Sequence, residues 1–252
     1  MDRNHQIELA VILAGGMGTR MLNKFGDIPK GFIKIDDIEL IDYSYNILIK
    51  YGIRKILIGT GYNSFLYEEF SIDKNITCIK NSNFDKTSSF YTLYNMKNYI
   101  MEDFLLLESD ILYEEKAVAH LLSSQNKDAV LVSGKTYSDD EVFVQVDGSN
   151  YLDYLSKDEN QLVDIYGELV GISKISYQTF TVLCDWAEKN VDDANKIDYE
   201  VALVKIRDQR KIPIEKIENL IWCEIDDENH FNKAVNEIYP QIKSKRNGGG
   251  KC

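Results

Sequence analysis

The sequence predicts an α/β protein whose helices cover both faces of a mostly parallel β-sheet. Short apolar runs of strand length alternate with longer segments of helical periodicity through the first half of the chain. Strands are predicted over residues 9–13, 55–59, 77–79, 104–107 and 129–133. Helices are predicted between them over residues 40–51, 89–100 and 115–123. This alternation implies βαβ crossovers and therefore three layers, α/β/α.

The pattern changes in the second half of the chain. Residues 143–146 and 168–172 are predicted to be antiparallel strands, because a turn signal, Asp-Gly-Ser-Asn, follows the first of them at 147–150. Helices are then predicted over 177–189 and 198–208, a strand over 221–225 and a last helix over 228–242. We therefore expect one domain over residues 1–242, with a mixed central sheet and a small antiparallel insert.

The segment 243–252, Lys-Ser-Lys-Arg-Asn-Gly-Gly-Gly-Lys-Cys, is basic and rich in glycine. Such a composition is typical of a flexible tail or linker. It is consistent with a tail, an artificial end or a tether to a further domain.

Composition excludes several classes of function. The chain has 29 basic and 41 acidic residues and a net charge of −12, which argues against a nucleic-acid or anionic-membrane surface. No signal peptide or run of membrane-spanning length is present, so a cytoplasmic location is expected. The cysteines lie far apart and the three histidines lack metal-ligand spacing, so we expect reduced thiols and no zinc site.

A glycine-rich turn follows the first predicted strand. Residues 13–20 are Leu-Ala-Gly-Gly-Met-Gly-Thr-Arg, and Pro-Lys-Gly follows at 29–31. Glycines let a backbone approach a polyphosphate closely, free N–H groups in such a turn bind anions, and Arg20 and Lys30 add positive charge. The spacing fits neither a Walker loop nor the dinucleotide fingerprint. An ordinary strand-to-helix turn would not need these cations, so we interpret the segment as a phosphate cradle.

This motif resembles the signature of the nucleotidyltransferases that join a nucleoside triphosphate to a phosphorylated small molecule and release pyrophosphate. The match is L-A-G-G-x-G-T-R at 13–20 with P-K at 29–30, and the resemblance extends over residues 8–240. It implies that residues 1–242 are a nucleotidyltransferase domain with a Rossmann-like three-layer α/β/α sandwich. The segments 81–95, 108–110 and 224–227 resemble the small cytidylyltransferases that act on phosphocholine or 2-aminoethylphosphonate. CTP and a small phosphonate or phosphoamine are then the implied substrates, and some members are fused to an aminotransferase.

Two acidic strand ends are candidates for a metal site. One strand ends at Asp110 and another at Asp226 and Asp227. Carboxylates that meet at strand ends are typical ligands of Mg²⁺, and the resemblance places the metal aspartates at Asp110 and Asp226. Alternatively, such acids cap the helices that follow them, and for Asp227 we prefer this interpretation.

The resemblance also implies how the nucleotide is held. The segment that begins at Asn81 corresponds to the one beside the pyrimidine, so Ser88 and Ser89 are candidates for reading the edge of cytosine; capping of the following helix is their alternative role. The expected nucleotide-binding residues are Leu13, Ala14, Gly15, Gly16, Met17, Gly18, Thr19, Arg20, Asn81, Ser88 and Ser89.

The acceptor pocket is expected in the second half of the chain. A cationic acceptor needs carboxylates or aromatic faces. The candidates are Asp139, Glu168, Tyr199 and Glu200, together with Lys30 for the phosphorus group. For the acids at 139–141, solvated surface is an equal alternative. Neither Trp186 nor Trp222 is expected to line an aromatic cage, because one falls on an apolar helix face and the other in a buried strand.

The expected reaction is Mg²⁺-dependent transfer of CMP from CTP to 2-aminoethylphosphonate, with Arg20 and Lys30 as the catalytic residues. Catalysis would consist of positioning and charge neutralisation, because the acceptor oxygen is already anionic. A phosphocholine cytidylyltransferase is the alternative. A sugar-1-phosphate nucleotidyltransferase is less favoured, because its acceptor pocket would need neutral groups that bind hydroxyls rather than acids. A catalytically silent nucleotide-binding subunit is disfavoured because Arg20, Lys30, Asp110 and Asp226 are all present.

Overall fold

The computed structural model describes residues 7–248. Its strands are β1 (Leu9–Ala14), β2 (Lys34–Ile35), β3 (Ile38–Glu39), β4 (Lys55–Thr60), β5 (Ile76–Lys80), β6 (Phe104–Glu108), β7 (Ile111–Tyr113), β8 (Ala129–Ser133), β9 (Phe143–Val146), β10 (Leu152–Ser156), β11 (Gly167–Ile175), β12 (Ile214–Ile217) and β13 (Trp222–Glu224). Its helices are α1 (Leu22–Phe25), α2 (Leu40–Lys50), α3 (Ser64–Phe70), α4 (Ser89–Tyr94), α5 (Lys116–Ser123), α6 (Tyr177–Lys189), α7 (Val191–Ala194), α8 (Tyr199–Lys205), α9 (Glu228–Lys233) and α10 (Tyr239–Gly248).

The central sheet is mixed, as predicted. Strand β1 lies between β4 and β6 and is parallel to both, and β5 pairs in parallel beyond β4. Strand β11 is antiparallel to β6 and β8, and β12 pairs in parallel with β8. The hairpin of β9 and β10 pairs with the start of β11 and forms the antiparallel insert. Strands β7 and β13 form a separate ribbon that brings the two acidic strand ends together.

Each face of the sheet packs against a helical layer. Side chains alternate across a strand, so Ile12 and Leu107 lie in one core with α2 and α5, whereas Leu13 and Leu106 lie in the other with α4 and α6. Strand β1 is buried along its whole length, as a central parallel strand requires. The predicted Rossmann-like three-layer α/β/α sandwich is confirmed.

Most predicted elements agree with the structure, and the differences have local causes. Strands β8 and β9 and helix α6 have the predicted bounds. The helix predicted over 89–100 ends at Tyr94, because the chain then tightens into turns in which the Met96 N–H bonds to the Leu93 carbonyl and the Tyr99 N–H to the Met96 carbonyl. Met96 and Ile100 remain buried, so the apolar periodicity continues beyond the helix itself.

The last helix continues into the segment predicted to be a linker. Helix α10 extends to Gly248, so residues 243–248 are helical. Lys243 pairs with Asp36 at 2.8 Å and Lys245 with Glu114 at 2.9 Å, while Arg246 donates a 3.0 Å hydrogen bond to the Tyr43 hydroxyl. The basic residues thus dock the helix on the domain, which composition alone did not indicate. The remainder of the predicted linker, 249–252, lies outside the described residues.

Within residues 7–248, no helix is both long enough and apolar enough to cross a membrane.

Candidate active site

A cavity of 350 Å³ opens at the carboxyl ends of β1 and β6. This is the edge at which open α/β sheets place their ligands. One part of its wall is the glycine-rich turn with Lys30, and another is the start of α4. Eight acidic residues complete the lining: Glu108, Asp110, Asp140, Glu141, Glu168, Asp198, Glu200 and Glu224.

The glycine-rich turn is shaped by close contacts that a larger side chain would prevent. A Cβ at Gly15 would lie 2.8 Å from Oγ1 of Thr92 in α4. Gly18 has a φ of +59°, which favours glycine, and its carbonyl accepts a 2.9 Å hydrogen bond from the Met21 N–H. The turn therefore lies directly on α4 and presents its backbone to the cavity. A short 3-10 turn, Thr19–Met21, follows it.

The two predicted cations contact the two predicted metal aspartates. Lys30 Nζ lies 2.7 Å from Asp110 Oδ2 and also contacts Asp226, and Arg20 Nη2 lies 2.7 Å from Asp226 Oδ2. Burial alone would lower the pKa of Lys30, but the two carboxylates raise it above its ordinary value. Burial alone would raise the pKa of Asp226, but Lys30 and Arg20 hold it below its ordinary value. Lys30, Arg20 and Asp226 are thus charged at neutral pH.

The acids of the cavity fall into two groups. Protein cations or hydrogen-bond donors engage five of them. Asp110 contacts Lys30, Asp140 contacts Arg20 and Lys157, Glu141 accepts from the Ser138 N–H, Glu168 accepts from Thr136, and Asp198 accepts from Ser89. Glu108, Glu200 and Glu224 are left without an ion pair anywhere in residues 7–248. The cavity therefore contains three carboxyl groups that pair with no cation of the described chain.

The environment of the second group opposes ionisation. Burial and the charge of Asp110 raise the pKa of Glu108 to about 8 and that of Glu224 to about 10. Burial and the charge of Asp198 raise the pKa of Glu200 to about 7. A bound cation would reverse these shifts, because an opposite charge favours the carboxylate form.

Three of these acids converge closely enough to hold a cation. Carboxylate oxygens of Glu108, Asp110 and Glu224 lie within 4.8 Å of one another. Asp110 and Asp226 are among the metal ligands predicted from the sequence, whereas Glu108 and Glu224 are not. The signal that could have found them is position: each glutamate is the last residue of its strand, at the edge where the following aspartate also lies.

The residues predicted to read the base support α4 and its surroundings. Asn81 is 1% exposed and donates to Thr87 Oγ1 at 2.9 Å and to Thr92 Oγ1 at 3.1 Å, so it braces the segment beneath the cavity. Ser88 and Ser89 line the cavity. The Ser88 hydroxyl bonds to the Lys196 carbonyl at 2.9 Å and makes no cap, so its capping role is wrong.

The helix cap at α4 comes from the acceptor side of the site. Asp198 Oδ1 accepts hydrogen bonds from the Ser89 N–H at 3.2 Å and from the Ser89 hydroxyl at 2.9 Å, and the Ser89 hydroxyl accepts from the Tyr199 N–H at 3.0 Å. The predicted nucleotide side and the start of α8 are thereby fixed to each other. The predicted cap at Asp227 is confirmed, since its Oδ1 accepts a 2.9 Å hydrogen bond from the His230 N–H.

The predicted acceptor residues occupy different positions. Glu200 lines the cavity, whereas Tyr199 lies behind it at 2% exposure. Glu168 reaches the cavity, but its carboxylate accepts from the Thr136 N–H at 2.7 Å and the Thr136 hydroxyl at 2.9 Å and so anchors that loop. Asp139 does not line the cavity; it has a φ of +69°, and its neighbours Asp140 and Glu141 line the cavity instead.

Two predicted nucleotide-binding residues are exposed, and one tryptophan lies in the cavity wall. Met17 is exposed, as is Arg20, whose side chain is 58% accessible. Trp222 lies in a buried strand, as predicted, and is also part of the cavity wall. Its indole N–H donates to Ser133 Oγ at 2.8 Å, which holds the ring against the sheet.

Comparisons with known proteins agree with this geometry. Residues 10–164, more than half of the chain, match the family of MobA-like NTP transferase domains. The CTP:phosphoglutamine cytidylyltransferase of Campylobacter jejuni is 25% identical over 254 aligned positions, which cover 86% of this chain and 95% of that protein. The choline-phosphate cytidylyltransferase of Streptococcus pneumoniae is 26% identical over 105 positions, or 42% of this chain and 46% of that protein.

Two solved structures are similar over nearly the whole chain. The inositol-1-phosphate CTP transferase from T. maritima superimposes with a TM-score of 0.80 at 21% identity and covers 98% of this chain and 99% of its own. The CTP:phosphocholine cytidylyltransferase from Streptococcus pneumoniae superimposes with a TM-score of 0.75 at 18% identity, with coverages of 91% and 98%. At these identities the likeness establishes a shared fold.

Proposed function

The chain belongs to the MobA-like NTP transferase family, and we propose that it transfers CMP from CTP to 2-aminoethylphosphonate and releases pyrophosphate. One observation carries this proposal: a single cavity joins a glycine-rich turn and Lys30 to a wall that includes three carboxyl groups without an ion pair, those of Glu108, Glu200 and Glu224. A polyphosphate is complementary to the first part and a small cationic acceptor to the second. Relatives that use CTP support the choice of nucleotide.

The proposed chemistry needs no general base. A phosphonate oxygen of the acceptor, already anionic, bonds to the α-phosphorus of CTP, and the bond from that phosphorus to the α–β bridging oxygen breaks. The electron pair leaves with pyrophosphate. Lys30 would neutralise the α-phosphate and the incoming phosphonate, and Arg20 would bind the outer phosphates. Catalysis then rests on alignment and on charge already in place.

Mg²⁺ fits the acids at the two strand ends. The converging oxygens of Glu108, Asp110 and Glu224 belong to the donor class that Mg²⁺ prefers, and Asp226 lies at the same edge. We assign the ion to Asp110 and Asp226, which requires Lys30 to move from these acids to the phosphates. When bound, Mg²⁺ would neutralise phosphate charge and orient the leaving pyrophosphate.

The head group of the acceptor decides between the two candidates. A primary ammonium donates three hydrogen bonds and suits carboxylates, whereas a trimethylammonium donates none and suits aromatic faces. The acids without ion pairs favour 2-aminoethylphosphonate. Trp222 in the cavity wall favours phosphocholine, which is therefore the second candidate.

A pyrophosphate-release assay tests both steps of the proposal. CTP, UTP, GTP and ATP are each offered with 2-aminoethylphosphonate, phosphocholine and a sugar 1-phosphate at equal concentration. We expect the highest kcat/KM for CTP with 2-aminoethylphosphonate. A clear advantage for phosphocholine would overturn the acceptor assignment alone, and an advantage for another nucleotide would overturn cytidylyl transfer.

A further inference from the structure

The sheet is shaped to accommodate the carboxylate of Glu108. A Cβ at position 171 would lie 2.8 Å from Glu108 Oε2 and 3.3 Å from Oε1, so only glycine leaves room there. Gly171 also has a φ of +79°, and it lies where the register of β11 against β8 shifts, between Leu169 and Ser173. The irregularity in β11 therefore coincides with the position of this acid.

The structure provides Glu108 and Glu200 with no cationic partner. Both line the cavity, and neither forms an ion pair within the described part of the chain. Glu224 shares this property, whereas Asp110, Asp140 and Asp226 each contact a lysine or an arginine. Lys30, the cation that acts on Glu108, already contacts two aspartates, and Lys157, the cation that acts on Glu200, already contacts Asp140.

Tyr199 adds a second, independent sign of an incomplete site. Its side chain is 2% exposed, and its hydroxyl has no hydrogen-bond partner. Glu108 is the charged group beside this phenol and raises its pKa further. A buried hydroxyl without a partner is costly, and a Glu108 carboxylate held in place by a bound ammonium is an acceptor for it.

We propose that Glu108 is an acceptor-binding residue that holds the primary ammonium of the acceptor together with Glu200. Gly171 is then a positioning residue, since it makes room for the Glu108 carboxylate. The inference rests on the proposed function and gives it a specificity determinant outside the glycine-rich turn. An acceptor without a positive charge would leave both acids uncompensated and would be a much poorer substrate.

The test compares two acceptors that differ in the ammonium group. Wild type, Glu108→Gln and Glu200→Gln are assayed with 2-aminoethylphosphonate and with ethylphosphonate at saturating CTP, and Mg²⁺ is titrated for each protein. The matched control is Glu237→Gln, the same change at an exposed residue outside the cavity. Thermal unfolding verifies that the variants fold.

We expect Glu108→Gln to raise KM for 2-aminoethylphosphonate by about 10- to 100-fold, the cost of losing a charged hydrogen bond. Its kcat/KM for ethylphosphonate should not fall below that of wild type, so its preference for 2-aminoethylphosphonate should shrink, without a higher Mg²⁺ requirement. Glu200→Gln should act in the same direction, and Glu237→Gln should change nothing.

Two outcomes would overturn the inference alone. In one, Glu108→Gln discriminates between the acceptors as wild type does. In the other, it raises the Mg²⁺ requirement equally with both acceptors, which would identify Glu108 as a metal ligand. Wild-type protein that turns over neither acceptor would instead overturn the proposed function, and the inference with it.

Discussion

Lys30 Nζ lies 2.7 Å from Asp110 Oδ2 and also contacts Asp226, so one cation neutralises both aspartates proposed to bind metal. The same lysine is proposed to contact the phosphates. Metal and nucleotide should therefore bind cooperatively, because CTP attracts the lysine away from the acids that the metal needs.

This relationship predicts that Lys30→Gln binds metal more tightly in the absence of nucleotide. Removing a positive charge from two close carboxylates should strengthen Mn²⁺ binding about tenfold or more, as followed by electron paramagnetic resonance. Turnover should fall severely. Lys24→Gln is the control, because Lys24 forms its ion pair with Glu228, at 2.8 Å, and with neither of these aspartates. Weaker Mn²⁺ binding by Lys30→Gln would contradict the prediction.

Arg20→Ala should lower kcat/KM for CTP by about 100- to 1,000-fold, the cost of removing a charged donor from a developing phosphate charge. Its exposed side chain contributes little to the core, so the unfolding temperature should hardly change. Arg54→Ala, at an exposed pair with Glu8, serves as the control. Near-wild-type kinetics would disprove the phosphate-binding role of Arg20.

Chelation should abolish turnover, and Asp110→Asn and Asp226→Asn should each raise the Mg²⁺ needed for half-maximal activity or eliminate activity. Each change removes a negative oxygen ligand while preserving shape. Asp208→Asn, at an exposed residue, controls for the loss of one carboxylate. Turnover that survives chelation and both substitutions would exclude the metal role.

Gly171→Ala should destabilise the fold and weaken acceptor binding. The new Cβ meets the Glu108 carboxylate, and the φ of +79° is unfavourable for alanine, for a total cost of about 1–3 kcal/mol. Gly148→Ala is the control, because nothing lies within 4 Å of its Cβ position. Urea unfolding and the acceptor KM measure the two effects. Equal stabilities of the two variants would refute the steric argument.

Glu168 should make stability depend on pH. Burial raises its pKa to about 7 in the folded protein, above the value of 4.5 expected when unfolded. The folded state therefore binds the proton more tightly, and this contribution to stability is lost as pH rises from about 4.5 to 7. The free energy of unfolding of wild type relative to Glu168→Gln should fall across that range. A difference that is constant with pH would contradict the assignment.

The sequence by itself determined the layers of the fold and one part of the site. Periodicity places β1 and β6 because a buried parallel strand must be apolar along its length. Local chemistry identifies the glycine-rich turn, because close backbone approach to phosphate requires glycine at specific positions. Arg20, Lys30 and Asp110 were identified for the same reason: each belongs to a short motif whose chemistry is local.

Only the tertiary structure decided which acids remain without a partner. Glu108 and Glu224 meet through the pairing of β7 with β13, which joins segments more than 100 residues apart. In the sequence, Glu168 and Asp198 cannot be distinguished from the acids that lack a partner. In the structure, Glu168 accepts a hydrogen bond from Thr136 and Asp198 accepts one from Ser89, so both stabilise local structure. Such pairings depend on the register of distant strands and on loop contacts, which no single segment of the chain specifies.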